Sequence, residues 1–463
     1  MPSRGQPVRT DMFELSDSQL FMHALQKAGL AQEITLCGSV LIPERVDDER
    51  LQAAANGVLE ANDVLRSYFV EKGGKAYQDF EPYEERVFEV RRFDCAEDME
   101  AWAALYATVP LDYRVVREGA GPSFEGIGRP GPRLALNVWR QQRRVARCRR
   151  ELGLEGRDPT CFELTLVQLP EASGAVIKMS HIISDGWSMV LVGNQFLHAL
   201  RGESFRAYEY RDYLEGDKAY KQSERAQADR EFFRGEWLRH PEPSICFPGK
   251  LFSFEGKRNS LELDAGLSER IRAYCQERRV SGMNVFLAAI GVCVGERLGG
   301  DSFHLGSLSI NRTGVAEKNT VGLFVSTLPI LMEAPADVSF GRLVLDTRER
   351  AFSAIRHARG YANPAEVYGN YFDLFVSYRR EVLDADPRAE IREYFPGAFA
   401  DFVELSIVER SSEGALTMYL DHNCKVSDGE AMGLLRDVAS VVERGIANDG
   451  LLVRDLRRGE SHV

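Results

Sequence analysis

The chain has 463 residues, 44% hydrophobic and 28% charged, with a formal net charge of −12. That length holds two or three domains, or two fused lobes with real cores. The acidic balance argues against bulk nucleic-acid binding, and no uninterrupted apolar run is long enough to span a bilayer.

At the N-terminus, Met1-Pro2-Ser3-Arg4-Gly5-Gln6 lacks the apolar core of a signal peptide. Residues 16–27 read as a helix with Ser16 and Asp17 as N-cap candidates. Residues 33–42 read as a strand. Residues 47–62 read as a helix, with Leu51, Ala54, Ala55, Val58 and Leu59 along one stripe. Strands are expected at 64–70 and 75–80 about the Gly73-Gly74 turn. Residues 117–133 are rich in Gly and Pro and read as a loop. The helix predicted at 134–152 puts Leu134, Val138, Val145, Cys148 and Leu152 on one face, with Arg140, Arg143, Arg144, Arg147, Arg149 and Arg150 over the rest.

Residues 162–169 and 174–181 read as paired strands, followed by a helix carrying Trp187, Val190, Leu191, Asn194 and Leu197 at helical spacing. The charged stretch 204–237 is mostly helical and is expected to bridge two halves, ending at Pro241, Pro243 and Pro248. Helices follow at 267–278 and 283–298, and strands at 302–310, 323–330, 371–378, 403–408 and 415–422. An amphipathic helix at 429–442 closes the series. The mixture predicts an α/β protein. The eight cysteines (Cys37, Cys95, Cys148, Cys161, Cys246, Cys275, Cys293, Cys424) form no C-x-x-C pair, so neither a zinc site nor a disulfide framework is suggested. A cytoplasmic protein with reduced thiols is expected.

The most informative stretch is Ser180-His181-Ile182-Ile183-Ser184-Asp185-Gly186-Trp187-Ser188, an H-x-x-x-D-G pattern between a strand and a helix. Imidazole takes a proton near neutral pH and can activate an amine or hydroxyl. A bland reading stands beside this one: Asp185 as a helix cap, Gly186 as a turn residue and His181 as a core histidine.

Further segments resemble the condensation domains of nonribosomal peptide synthetases. Leu15 to Leu20 is similar to that family's opening motif, and Asn62 to Phe69 to its "HExLRTxF", with Asn62 for the usual His. Ser180 to Ser188 resembles "HHxxxDGWS", with Ser180 for the first His. Tyr208 to Phe233 resembles the inter-lobe helix, with Phe233 for the usual Trp. Ser309 to Arg312 and Val321 to Pro329 resemble "GR…VGxFVNTLP", with Ser326 for Asn, and Tyr371 to Tyr378 and Leu416 to Asn423 are similar to the final strands. The resemblance implies two chloramphenicol acetyltransferase-like lobes in a V-shaped pseudodimer with a tunnel between them. The implied division is 1–200 for the first lobe, with a basic insertion at about 114–157, then 201–260 for the bridge and 261–463 for the second lobe. It also implies a freestanding form, without adenylation or carrier segments.

By the same resemblance His181 is the catalytic residue, deprotonating or orienting the acceptor as it attacks a thioester carbonyl. Asp185 and Arg312 pair across the lobes and shape the site. Gly186 leaves room for substrate, offers an oxyanion N–H, or only permits the turn. Trp187 is expected in the core, with tunnel lining as a second reading. Ser180 and Ser326 are expected to support the site or line the tunnel. Arg312 as a surface residue remains the plain alternative. The arginine-rich helix is either a solvated face or, through Arg143, Arg144 and Arg147, a docking surface for an acidic carrier protein.

The implied activity is acyl transfer from a phosphopantetheine thioester, on a carrier protein or coenzyme A, to an amine or alcohol. The product is an amide or an ester in natural-product biosynthesis, with no metal and no bound cofactor. The alternative is a non-catalytic module that binds carrier proteins or recruits partners.

Overall fold

A computed structural model of the chain describes residues 12–119, 132–248, 255–360, 372–398, 403–410 and 414–457. Most of the predicted 117–133 loop lies outside these residues, as does Tyr371.

The first lobe is built on a five-stranded sheet in the order Glu390–Glu393, Thr35–Ile42, Ser173–Ser180, Phe162–Gln168, Val90–Arg92. Every residue of Ser173–Ser180 is buried because both faces of that strand are covered. Ala175, Ile177 and Met179 enter one core with the helices Asp48–Ala61 and Gly186–Leu200. Val176 enters another, with Met99, Ala103 and Tyr106 of the helix Ala96–Ala107 and Cys148 of the helix Pro132–Glu151. A four-stranded sheet beside it runs Phe13–Glu14, Lys75–Phe80, Ser67–Lys72, Val115–Glu118.

The second lobe holds a six-stranded sheet in the order Ser326–Glu333, Ser302–Ser309, Leu374–Arg380, Val403–Glu409, Leu416–Asn423, Gly256–Glu262. Four helices cover one face: Ala265–Arg278, Gly282–Leu298, Phe340–His357 and Asp428–Ala447. Gly282–Leu298 is apolar nearly all round and lies at the centre of that layer, as an amphipathic helix could not. No single helix among the described residues is long and apolar enough to cross a membrane.

Local signals mark these elements well. Ser16, Ser281 and Ser427 each close a capping box, and Asp47 accepts from the Arg50 N–H. The bridge is two helices, Tyr210–Lys221 and Glu224–Arg239; Tyr210 packs in the first core and Phe233 in the second. The linear three-part division does not describe the packing, however. Gly256–Glu262, whose first five residues were assigned to the bridge, is an edge strand of the second sheet. Leu383, Ala385 and the strand Glu390–Glu393, assigned to the second lobe, cross back to the first, where Glu390–Glu393 pairs antiparallel with Thr35–Ile42. The strand expected at 323–330 begins only at Ser326, because the Phe324 N–H is turned away from any ladder to the Asp185 carboxylate, 3.0 Å away.

His304, in the strand Ser302–Ser309, is fully buried against Trp237 with both ring nitrogens lacking a hydrogen-bond partner among the described residues. Burial, with His240 as a lesser contributor, pushes its pKa down to about 4 from 6.5. The unfolded chain takes up this proton below 6.5 and the folded protein does not, so stability falls as pH drops from 6.5 toward 4. Replacing His304 by Phe is expected to remove about 2 kcal/mol of the stability difference between pH 7 and pH 5. Urea denaturation at the two pH values measures it; an unchanged difference would contradict the assignment.

Candidate active site

The strand Ser173–Ser180 ends one residue before His181, and the next three residues fold into a tight turn. The Ile183 N–H and Ser184 Oγ both donate to the Ser180 carbonyl, at 3.0 and 2.9 Å. The His181 N–H donates to the Ile34 carbonyl at 2.7 Å. The backbone is therefore held on both sides while Ile182 and Ile183 anchor the turn in the core. The His181 side chain keeps some accessible surface, and its Nδ1 has no hydrogen-bond partner among the described residues. Burial holds the imidazole below its ordinary pKa, against the opposing pull of its own backbone, the Asp185 charge and the Ser184 backbone. At neutral pH the ring is free to accept a proton.

Asp185 serves both readings of the sequence at once. As the N-cap of Gly186–Leu200, its Oδ1 accepts from the Ser188 N–H at 2.8 Å and from Ser188 Oγ at 2.9 Å. It also meets Arg312 of the second lobe: Nη2 lies 2.9 Å from Oδ1 and 3.1 Å from Oδ2. Both residues are almost completely buried, at 2% and 4% exposure. Arg312 is therefore not a surface arginine. Asn311 precedes it in the left-handed region, with φ of 48°, and turns the chain out of Ser302–Ser309 so that the guanidinium points inward. Nη1 donates to the Glu317 and Thr320 carbonyls, and the guanidinium carbon lies 4.0 Å over the Phe324 ring. Arg312 Nε alone of its guanidinium nitrogens lacks a hydrogen bond among the described residues, and such a pair is net stabilising only when nearly all remaining donors and lone pairs are satisfied.

The same loop closes on the first lobe at other points. Ser188 Oγ and the Gly322 backbone exchange contacts of 2.8 and 3.0 Å, and Tyr210 Oη donates to the Leu323 carbonyl at 3.0 Å. Gly322 is required by this approach, since a Cβ there would sit 2.2 Å from the Tyr210 ring. Trp187 corrects the expectation of a core residue. It is half-buried, and its indole N–H donates to the Lys318 carbonyl at 3.0 Å, because a Trp donor is best satisfied at the edge of a core.

Gly186 is not a turn glycine in the conformational sense, as it lies outside the left-handed region. A Cβ there would lie 3.8 Å from Cδ and 3.9 Å from Nη1 of Arg379. Ser180 and Ser326 are buried, each with an Oγ that has no hydrogen-bond partner among the described residues. On the helix Pro132–Glu151, Arg140, Arg143, Arg144 and Arg147 are exposed, with Arg143 4.5 Å over the half-exposed Trp139 ring. Arg149 instead pairs with Asp112 at 2.7 Å.

The bracing roles of several residues were not anticipated by sequence reasoning. Asp63 accepts from the N–H groups of Tyr210 and Arg211, and Asn62 Nδ2 donates to Gln195 Oε1. Arg66 gathers the carbonyls of Leu59, Asn62 and Glu81. The Asn62–Phe69 motif thus locks the helix Asp48–Ala61 to the bridge; its resemblance to a family motif was the available signal. Among the described residues, no group of three or more His, Cys, Asp or Glu is placed to hold a metal ion.

Residues 144–362 match the family described as Condensation domain. A plipastatin synthase of Bacillus subtilis is 24% identical over 303 residues, covering 60% of this chain. The chain spans only 12% of the length of that synthase polypeptide. The fold matches the condensation domain of the monacolin K polyketide synthase MokA, with a TM-score of 0.76 at 15% identity over 96% of this chain and 99% of that one. It also matches the starter condensation domain of rhizomide synthetase RzmA, a double mutant in complex with C8-CoA and Leu-SNAC, with a TM-score of 0.72 at 16% identity and 96% coverage of both. Residues 144–362 thus resemble condensation domains in sequence, and over nearly its whole length the chain has the condensation-domain fold, with two chloramphenicol acetyltransferase-like lobes.

Removing Asp185 leaves a buried, uncompensated guanidinium and an uncapped helix. Asp185→Ala is expected to cost about 3–5 kcal/mol, seen as a large fall in Tm or loss of soluble protein. A variant that melts with the parent protein would show that the pair does not hold the lobes.

Proposed function

Given a chain of the condensation-domain type, we propose an acyltransferase that joins an acyl thioester to an amine or hydroxyl acceptor, working in natural-product biosynthesis in the cytoplasm. The observation that carries this reading is His181: a neutral imidazole with accessible surface and its backbone clamped by Ile34, next to a carboxylate already committed to Arg312. Asp185 is therefore a positioning residue, and the imidazole is the group left to handle a proton. In the proposed reaction the acceptor's lone pair attacks the thioester carbonyl while His181 takes the acceptor proton. The tetrahedral intermediate then expels the thiolate, which receives that proton, and the amide or ester bond replaces the thioester. The Gly186 N–H, at a helix start, would favour the developing oxyanion.

The donor would be a phosphopantetheine thioester on a carrier protein or coenzyme A, entering one end of a tunnel between the lobes with the acceptor at the other. The thioester brings the activation, so the protein's task is positioning and proton transfer, without metal or resident cofactor. The Ser180 and Asn62 departures favour a second reading, a non-catalytic module that captures carrier proteins.

Octanoyl-CoA and a mixture of aminoacyl N-acetylcysteamine thioesters, followed by mass spectrometry, separate the two readings. Acyl transfer requires product; binding without product supports the module. His181→Ala should lower kcat/KM by at least about 100-fold with Tm unchanged. Because burial lowers this imidazole's pKa, the acid limb of the parent profile should fall below pH 6.5. Retained turnover in His181→Ala would remove the base assignment.

For the donor partner, the exposed Arg143, Arg144 and Arg147 would steer an acidic carrier protein by long-range attraction. Reversing all three to Glu is expected to raise KM at least about tenfold for a carrier-bound donor and to spare octanoyl-CoA. Equal effects on both donors would refute docking at this face.

A further inference from the structure

The face of the second-lobe sheet turned away from its helices carries a charged cluster beside the His181 turn. Val376, Leu405, Ile407, Met418 and Leu420 enter the helix-covered core. Strand alternation therefore puts Ser377, Arg379, Glu404, Ser406, Tyr419 and Asp421 on the opposite side. Glu393 reaches the same place from the crossover strand, with Oε1 3.0 Å from Arg258 Nη2 and Oε2 2.8 Å from Arg379 Nη1. Arg258 also grips Asp421 at 2.6 and 2.7 Å. Glu381 lies 3.4 Å from Arg379 and 3.3 Å from Arg410. Arg379 is the side chain that faces Gly186, so the cluster and the first turn of the site helix border the same space.

This is an internal wall rather than outer surface. Arg379, Glu393 and Glu404 keep accessible area although protein encloses them, as it does His181. Arg379 Nε and Arg410 Nε are buried without a hydrogen bond among the described residues, and Glu381, only 7% exposed, meets Arg379 and Arg410 as ion pairs. Buried polar atoms in native proteins normally find partners, so two unbonded guanidinium N–H groups at one place mark a polar wall that is not fully satisfied from within.

The charges do not balance. Arg258, Arg379 and Arg410 face four carboxylates: Glu381, Glu393, Glu404 and Asp421. The odd one is Glu404, whose Oε1 accepts from Ser377 Oγ at 3.0 Å and Ser406 Oγ at 2.9 Å, with no ion pair among the described residues. Burial pushes its pKa up, and Arg379 opposes this. Leaving a carboxylate enclosed without a cation is costly, and a cationic ligand would relieve that cost.

We propose that Glu404 forms a specificity subsite in the active-site cleft that receives an ammonium group of the substrate. This rests on the acyl-transfer reading above. The ammonium group is carried by either the acceptor or the donor acyl chain. Two substrate pairs distinguish the sources: lysyl against norleucyl N-acetylcysteamine thioester with octanoyl-CoA as donor, and 8-aminooctanoyl-CoA against octanoyl-CoA with the leucyl thioester as acceptor. In one pair the cationic member should be used at least tenfold better in kcat/KM, and in Glu404→Gln that ratio should fall to near one with Tm unchanged. A neutral preference in both pairs, or a cationic preference that survives Glu404→Gln, overturns the subsite. If no pair gives product, acyl transfer itself fails. Calorimetric titration with the four compounds then decides the subsite separately: tighter binding of a cationic member, lost in Glu404→Gln, supports it, and equal affinities within both pairs overturn it.

Discussion

A buried guanidinium–carboxylate contact between the lobes governs the geometry of everything around it. Asp185 begins the helix that follows the His181 turn, and Arg312 leaves the second-lobe strand Ser302–Ser309. Through them the two lobes share one hydrogen-bond network that also takes in Ser188, Gly322 and Phe324. Two ions out of water are expensive, so this arrangement persists only where each lone pair and donor is nearly satisfied. That demand accounts for a glycine where Tyr210 approaches, and for an asparagine in the left-handed region before the arginine. It also commits the Asp185 carboxylate to Arg312 rather than to the imidazole, which burial holds neutral.

What was legible in the sequence followed the range over which each signal acts. The cap at Ser16 acts over three residues, and the apolar stripe of Asp48–Ala61 over four turns; both were read directly, whereas the equally local caps at Asp47, Ser281 and Ser427 were not. His181, Asp185 and Arg312 were legible because they sit in recognisable motifs, although 127 positions separate the two ions. The crossover strand Glu390–Glu393 was not. Four residues with one apolar side chain, Ile391, carry no period, and the strand exists only because Thr35–Ile42 offers a free edge. The helix Phe340–His357 also went unread: its buried Phe340, Leu343, Val344, Thr347, Ala351 and Ala354 do follow a helical spacing, but they are interleaved with six charged residues.

Within the site, the misjudged residue was Trp187. Its size argued for the core, but its one donor decided its place, and the partner is a carbonyl 131 positions away. Arg379 was invisible for the same reason. Nothing near it in sequence indicates that it faces Gly186, because that contact exists only once the sheet of one lobe meets the helix of the other. The motif marked His181 as the candidate base, and long-range packing supplied its surroundings.

The strand exchange at Glu390–Glu393 bears on how such a molecule could be cut or rebuilt. Severing the halves near the bridge would strip Thr35–Ile42 of a neighbour and leave unpaired backbone groups beside an apolar strand, an open invitation to sticky self-association. Each half is thus chaperoned by the other.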